Sequence, residues 1–213
     1  MARNVTSALM NAATINIEQK GKLYAMAKNI LCFAGSTREE SYHRRLAKTV
    51  SNEVNELGAT ATLIELADYS MPIYNGDDEQ AHGLPKAAIE LQALMREHDA
   101  LIIASPEYNG FFTPVLKNTI DWMTRPNPAA PDLGPVFKGK VGGIVATSEG
   151  ANGGLRGLLA LRTLLSGIGI TVVSSQLAVP AAQKKFSDTE LTDSASLKRL
   201  RTVVQSVMDC SLS

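Results

Sequence analysis

Ala100-Leu101-Ile102-Ile103-Ala104-Ser105-Pro106-Glu107-Tyr108-Asn109-Gly110-Phe111-Phe112-Thr113-Pro114 holds a strand, a loop and a helix start in one uninterrupted stretch. The run from Ala100 to Ala104 is wholly apolar, as a strand covered on both faces requires. Ser105-Pro106 ends it and Asn109-Gly110 is a turn signal. Thr113-Pro114 then pairs a good N-cap with proline at the first helical position. Leu116, Ile120 and Met123 supply that helix with a buried stripe, and Arg125-Pro126 closes it.

The same grammar extends in both directions. Upstream, Ile30-Leu31-Cys32-Phe33-Ala34 is a second apolar run that stops at Gly35. Leu46, Val50, Val54 and Leu57 follow at helical spacing, with Gly58 as a stop. Thr60 to Leu66 alternates as a strand, Asp68 to Gly83 reads as a loop, and Leu91, Leu94 and Met95 mark a helix ending at His98-Asp99. Downstream, a proline-rich connection leads to a strand from Val141 to Ala146. The loop Thr147 to Gly154 opens a helix through Leu158, Leu161, Leu164 and Leu165. A strand over Ile170 to Val173 and a last helix near Asp188 to Met208 complete the chain. Five strands alternating with helices predict an α/β fold, a parallel sheet wound on both faces. Residues 1–28 are expected to be a poorly packed N-terminal extension and residues 29–213 a single domain.

Composition narrows the function classes. The 213 residues carry 21 Lys plus Arg against 21 Asp plus Glu, a formal net charge of zero. That balance argues against nucleic-acid binding through bulk charge and against an acidic carrier that docks by charge alone. Two cysteines, Cys32 and Cys210, make no disulfide framework and no CxxC pair, and His43, His82 and His98 share no metal-ligand spacing. No metal site is expected. No apolar run reaches the roughly 18 residues that span a bilayer, and no secretory signal is evident. A cytoplasmic setting is expected.

In such a sheet ligands bind beyond the carboxyl ends of the strands, where strand order reverses. Three loops lie there. The first, Gly35-Ser36-Thr37-Arg38-Glu39-Glu40-Ser41-Tyr42-His43, is rich in hydroxyls and ends at a helix N-terminus, a setting that favours an anion. Arg38 can fork onto a phosphate. The loop matches neither GxxxxGK[ST] nor GxGxxG; a plainer reading is a capped helix with a surface arginine. The second, Ser105 to Gly110, offers Tyr108 as an aromatic face beside the polar groups of Glu107 and Asn109, or else a turn with an incidental tyrosine. The third, Thr147-Ser148-Glu149-Gly150-Ala151-Asn152-Gly153-Gly154, lets backbone approach a ligand closely, or serves a tight turn. Together they offer one cradle suited to phosphate and two walls suited to a flat ring, as a mononucleotide such as FMN needs.

These residues resemble the NADPH-dependent FMN reductase family, a flavodoxin-like group that includes chromate, quinone and azo-dye reductases. The resemblance rests on Gly35-Ser36-Thr37-Arg38 with Ser41 and Leu46. It rests further on Pro106-Glu107-Tyr108-Asn109-Gly110 followed by Leu116-Lys117-Asn118 and Ile120-Asp121-Trp122. It implies a flavodoxin-like three-layer sandwich with a five-stranded parallel sheet. It also implies non-covalent FMN, reduced by NADPH or NADH, passing electrons to flavins, quinones or similar small acceptors. By that likeness Ser36, Arg38, Ser41, Tyr42 and His43 hold the phosphate and ribityl chain. Pro106, Glu107, Tyr108, Asn109 and Gly110 contact the ring, with Ser148 and Gly150 nearby. No side chain is assigned as a catalytic acid or base. A homodimer or homotetramer is implied, with no nucleic-acid or membrane partner. Position 43 is histidine where the family commonly has asparagine, and Phe111-Phe112-Thr113 replaces frequent small residues above the expected flavin. Rival readings are a non-enzymatic electron carrier and a flavin-binding regulatory protein. Cys32 and Trp122 are read as core.

Overall fold

A computed structural model of the chain describes residues 28–211. The extension expected over residues 1–28 lies, apart from Lys28, outside the described residues. In chain order the elements are β1 (Asn29–Ala34), α1 (Tyr42–Glu56), β2 (Thr60–Ile64), α2 (Gly76–His82), α3 (Lys86–Glu97) and β3 (Ala100–Ala104). They continue with α4 (Pro114–Met123), β4 (Lys140–Thr147), α5 (Leu155–Gly167), β5 (Ile170–Val172), β6 (Leu177–Val179) and α6 (Ser194–Asp209).

The strands are parallel in the order β2-β1-β3-β4-β5, with β6 also pairing β4. Alternation along each apolar run builds two cores. Ile30, Cys32 and Ala34 of β1 face α1 and α6, where Leu46, Val50, Val54, Leu200, Val203 and Val207 pack. Leu31 and Phe33 face the other way, onto Leu91 and Met95 of α3, Leu116 and Ile120 of α4, and Leu158 and Leu161 of α5. The result is the flavodoxin-like three-layer sandwich. Cys32 is fully buried and its thiol is pushed up to about 12 by desolvation, so it is a core hydrophobe without thiolate character.

The five-stranded parallel sheet is present with one strand added, and two other expectations need correction. The sheet has five positions but six strands, because the last position is broken. β5 pairs Lys140–Gly142 of β4, leaves through Ser174-Ser175-Gln176, and the chain returns as β6 against Val145–Thr147. Arg162 of α5 pins the excursion, donating to Val172 O at 3.2 Å and to Gln176 Oε1 at 2.9 Å. The segment read as a loop from Asp68 to Gly83 contains α2, capped by Asn75, whose Oδ1 accepts from Asp77 N. The last helix starts at Ser194, where the Asp193 carboxylate caps it.

The motif following the second loop braces a strap across α4. Asn118 Oδ1 accepts from Tyr74 N at 2.8 Å, while Asn118 Nδ2 and Trp122 Nε1 both donate to Pro72 O at 2.8 Å. Trp122 is buried, as expected of a core residue, with Tyr74 edge-on to it at 5.0 Å. Among the described residues no helix is long and apolar enough to cross a membrane, and no group of three or more His, Cys, Asp and Glu could hold a metal ion.

Candidate functional site

Strand order reverses between β1 and β3, so the loops after these two strands form the walls of the crevice that parallel sheets use for ligands. They are fastened to one another. Gly35 N donates to Ala104 O at 2.9 Å, and Thr113 Oγ1 donates to Gly35 O at 2.6 Å. The same Thr113 oxygen accepts from Leu116 N and so caps α4. A side chain at position 35 would begin 3.1 Å from Leu116 and 3.3 Å from Pro106, which is why the strand ends in glycine.

Past Gly35 the first loop turns polar and open. Ser36 and Ser41 are buried, and each turns its hydroxyl oxygen back on the chain. Ser36 Oγ accepts from Arg38 N at 3.3 Å and Ser41 Oγ from His43 N at 3.2 Å. Thr37, Arg38, Glu39 and Glu40 are exposed. Glu40 is paired with Arg45, and Arg44 with Glu65 at 2.8 Å, whereas Arg38 has no ion-pair partner among the described residues. The Tyr42 ring lies against Phe186, centroids 5.5 Å apart, with Arg45 over it, so Tyr42 offers the site its backbone N–H.

His43 is turned inward. Its Nε2 accepts from Thr147 N at 3.2 Å, joining the N-terminus of α1 to the end of β4. Burial lowers its pKa to about 3, so the ring is neutral at physiological pH, the form whose Nε2 can accept from Thr147 N.

The second loop is a tight turn. Tyr108 and Phe111 exchange both backbone hydrogen bonds, at 2.8 and 3.1 Å, around Asn109 (φ 54°) and Gly110 (φ 83°). Two positive φ values in sequence are the mark of a type I′ turn, which Asn-Gly favours. The Glu107 carboxylate is bonded to α5. Its Oε1 accepts from Arg156 Nε at 2.9 Å and its Oε2 from Gly157 N at 3.0 Å. Burial alone would raise the Glu107 carboxyl, but these partners together hold it below the usual carboxylate range.

The third loop is pinned to β6. Val179 O accepts from Thr147 Oγ1 at 2.9 Å and from Ser148 N at 3.1 Å, and Ser148 O accepts from Ala182 N at 3.0 Å. Gly150 has room for a side chain, so nothing in the packing demands glycine there. Gly153 and Gly154, not singled out from the sequence, are the constrained pair. A Cβ at 153 would lie 2.7 Å from the Val179 carbonyl carbon, and one at 154 would lie 2.8 Å from Ala146 Cβ. Arg156 and Gly157 also escaped the sequence reading, and the bond from Thr113 to Gly35 went unforeseen. Only Thr113 left a signal, as a cap.

Residues 28–184 match the NADPH-dependent FMN reductases. The chain belongs to that family. It is 35% identical over 159 residues to an NAD(P)H-dependent FMN reductase of Pseudomonas aeruginosa, covering 74% of this chain and 80% of the relative. It is 32% identical over 142 residues to a quinone reductase of Escherichia coli K12, covering 64% of this chain and 68% of that protein. Among solved structures, a flavoenzyme NAD(P)H:(acceptor) oxidoreductase from Paracoccus denitrificans superposes with a TM-score of 0.71. Sequence identity to it is 27%, covering 85% of this chain and 96% of that one.

The residues present fit FMN. Its phosphate needs donors, and the first turn of α1 contains no acidic residue, while of the two loop carboxylates before it Glu40 is paired with Arg45 and Glu39 is exposed to solvent. Arg38 adds a guanidinium that no ion pair among the described residues engages. Its ring needs backbone held at fixed depth, which the braced second and third loops supply.

Proposed function

We propose that the chain is an FMN-dependent NAD(P)H oxidoreductase passing electrons to flavins, quinones or similar small acceptors, with the phosphate seated on the first loop. The observation that carries the reading is the division of the rim, with spare donors at the α1 end and cross-braced backbone at the β3 and β4 ends. When bound, FMN supplies the ring that takes up hydride and gives up electrons. The chain supplies position. Arg38, the backbone of Ser36 to Tyr42 and the Ser36 and Ser41 hydroxyls receive the phosphate and ribityl chain. Pro106 and the turn Tyr108 to Gly110 form one wall for the ring, and Ser148 to Gly150 forms the other. His43 and Glu107 act from behind, His43 by fixing Thr147 and Glu107 by fixing α5 against the second loop.

No side chain is assigned to proton transfer. Glu107, the carboxylate of the ring-facing loop, is held as an anion by Arg156 and the Gly157 amide. We extend the reading, on the strength of the family, to a homodimer or homotetramer working in the cytoplasm with NADPH as donor.

The deciding experiment is a fluorescence titration of flavin-free protein with FMN, with riboflavin as the control that lacks phosphate. Saturable one-to-one binding of FMN with far weaker riboflavin binding is expected. Equal affinity for both would remove the phosphate cradle, and binding of neither would remove the flavin.

A further inference from the structure

The turn between β3 and α4 presents two aromatic rings to solvent. Residues that exchange both backbone hydrogen bonds across a two-residue turn send their side chains to the same side of the ribbon, and Tyr108 and Phe111 are such a pair. Tyr108 is 47% exposed and Phe111 53%. The next residue, Phe112, is only 5% exposed and belongs to the core with Phe33 and Leu116. Phe111 lies against it, ring centroids 4.2 Å apart and planes tilted by 35°. One side of the Phe111 ring is therefore backed by a buried ring while the rest faces water.

The turn itself is fixed. Asn109 and Gly110 hold positive φ, Glu107 is bonded to α5, and the Arg156 guanidinium lies 3.9 Å from where a Gly110 Cβ would stand. An apolar ring kept half in water by a braced turn forgoes burial that a flat ligand would restore.

We propose that Phe111, with Tyr108 beside it, sets the specificity of the enzyme for flat aromatic electron acceptors with a carbonyl at the ring edge. The inference rests on the flavin assignment above, which sets this loop against the isoalloxazine. An acceptor lying flat at the same edge meets the exposed part of the Phe111 ring, and the Tyr108 phenol on the same side offers a donor to its carbonyl. A compact octahedral oxidant such as ferricyanide finds no comparable contact. The discrimination is one of shape, made on binding, before any electron moves. Phe111 is thus a specificity residue, and its replacement leaves the phosphate cradle and its donors untouched.

The test is calorimetric titration of oxidised, FMN-loaded protein with 1,4-naphthoquinone in the absence of NADPH, in wild type, Phe111→Ala and Phe111→Trp. Loss of one aromatic contact predicts a Kd for naphthoquinone about five- to tenfold higher in Phe111→Ala and within about twofold of wild type in Phe111→Trp. The KM for naphthoquinone should rise in parallel in Phe111→Ala, while the KM for ferricyanide and the affinity for FMN stay unchanged. Equal naphthoquinone Kd in wild type and Phe111→Ala overturns the proposal. So does a change in subunit association on sedimentation with no change in Kd, which would assign the rings to a second copy of the chain. Failure of the wild type to bind FMN is a separate outcome, and it removes the flavin reading along with the inference built on it.

Discussion

From Thr37 to Glu40 the first loop stands in solvent with its Arg38 guanidinium uncommitted, whereas the third loop is tied at its start, through Thr147 and Ser148, to Val179 and Ala182 and is seated at its end on the buried Gly153 and Gly154. Both lie at the same end of one sheet, and under the proposed flavin site their construction suits the chemistry each would meet. A phosphate brings its own hydrogen-bond acceptors, so a loop that receives it gains by leaving donors unspent until the ligand arrives. A flat ring offers few polar atoms, so the loop beside it must be held by the protein alone. Rigidity is placed where the ligand cannot supply it.

The comparison can be broken most directly at Gly153. A methyl there would stand 2.7 Å from the Val179 carbonyl carbon and 2.8 Å from Pro180 N, on backbone at φ 59°. Gly153→Ala should cost about 3–5 kcal/mol in urea unfolding, since overpacking and positive-φ strain add; a variant as stable as wild type would show that the third loop is free to move. Next comes Thr113→Val, which removes a helix cap and leaves Gly35 O without its donor. The expected loss is about 2–4 kcal/mol, with Thr113→Ser close to wild type. On the open side the effect should change kind. Arg38→Ala is expected to leave stability within about 0.5 kcal/mol while weakening FMN by about 1.5–3 kcal/mol and riboflavin hardly at all. A stability loss from Arg38→Ala would mean that the first loop depends on that guanidinium for its fold.

The smallest effect is one of pH. The native His43 ring stays neutral down to about pH 3, whereas in the unfolded chain it takes up a proton below its ordinary 6.5. The unfolded state therefore binds more protons between these values, so this contribution to stability is complete above pH 6.5 and is lost as pH falls toward 3. His43→Asn keeps an acceptor for Thr147 N and cannot titrate. Its unfolding free energy should fall less than that of wild type on acidification from pH 6.5 to 5, by about 1–2 kcal/mol. Parallel pH profiles for the two proteins would return His43 to the surface of the site.

The fold was legible wherever burial leaves a periodic trace. β1 and β3 read as unbroken apolar runs because helices cover both faces, and α4 announced itself through Thr113-Pro114. α2 left no trace because none of its residues is buried, so Gly76 to His82 shows no apolar period. β6 was missed because Leu177-Ala178-Val179 is too short to stand out once Ser174-Ser175-Gln176 has ended β5. For the site, the positions of the three loops at the ends of β1, β3 and β4 could be read from residue types. Their fastening could not, since the bonds from Thr113 to Gly35, His43 to Thr147 and Glu107 to Gly157 join positions far apart in the chain. Asn118 and Trp122 stood out as a motif, but only the strap at Pro72 explains what they hold.

The break in the last strand has a consequence for how the chain could be lengthened. β6 keeps its own register on β4 and its own ties to the third loop, and Arg162 holds the excursion before it at Val172 and Gln176, so both flanks are anchored independently of what lies between them. Ser174 is exposed at that point. A peptide spliced in after Ser174 would extend a surface loop, and each doubling of such a loop costs only about 0.6 kcal/mol in closure entropy. A fluorophore or a tethered electrode linker could therefore be grafted there with the crevice left as it is.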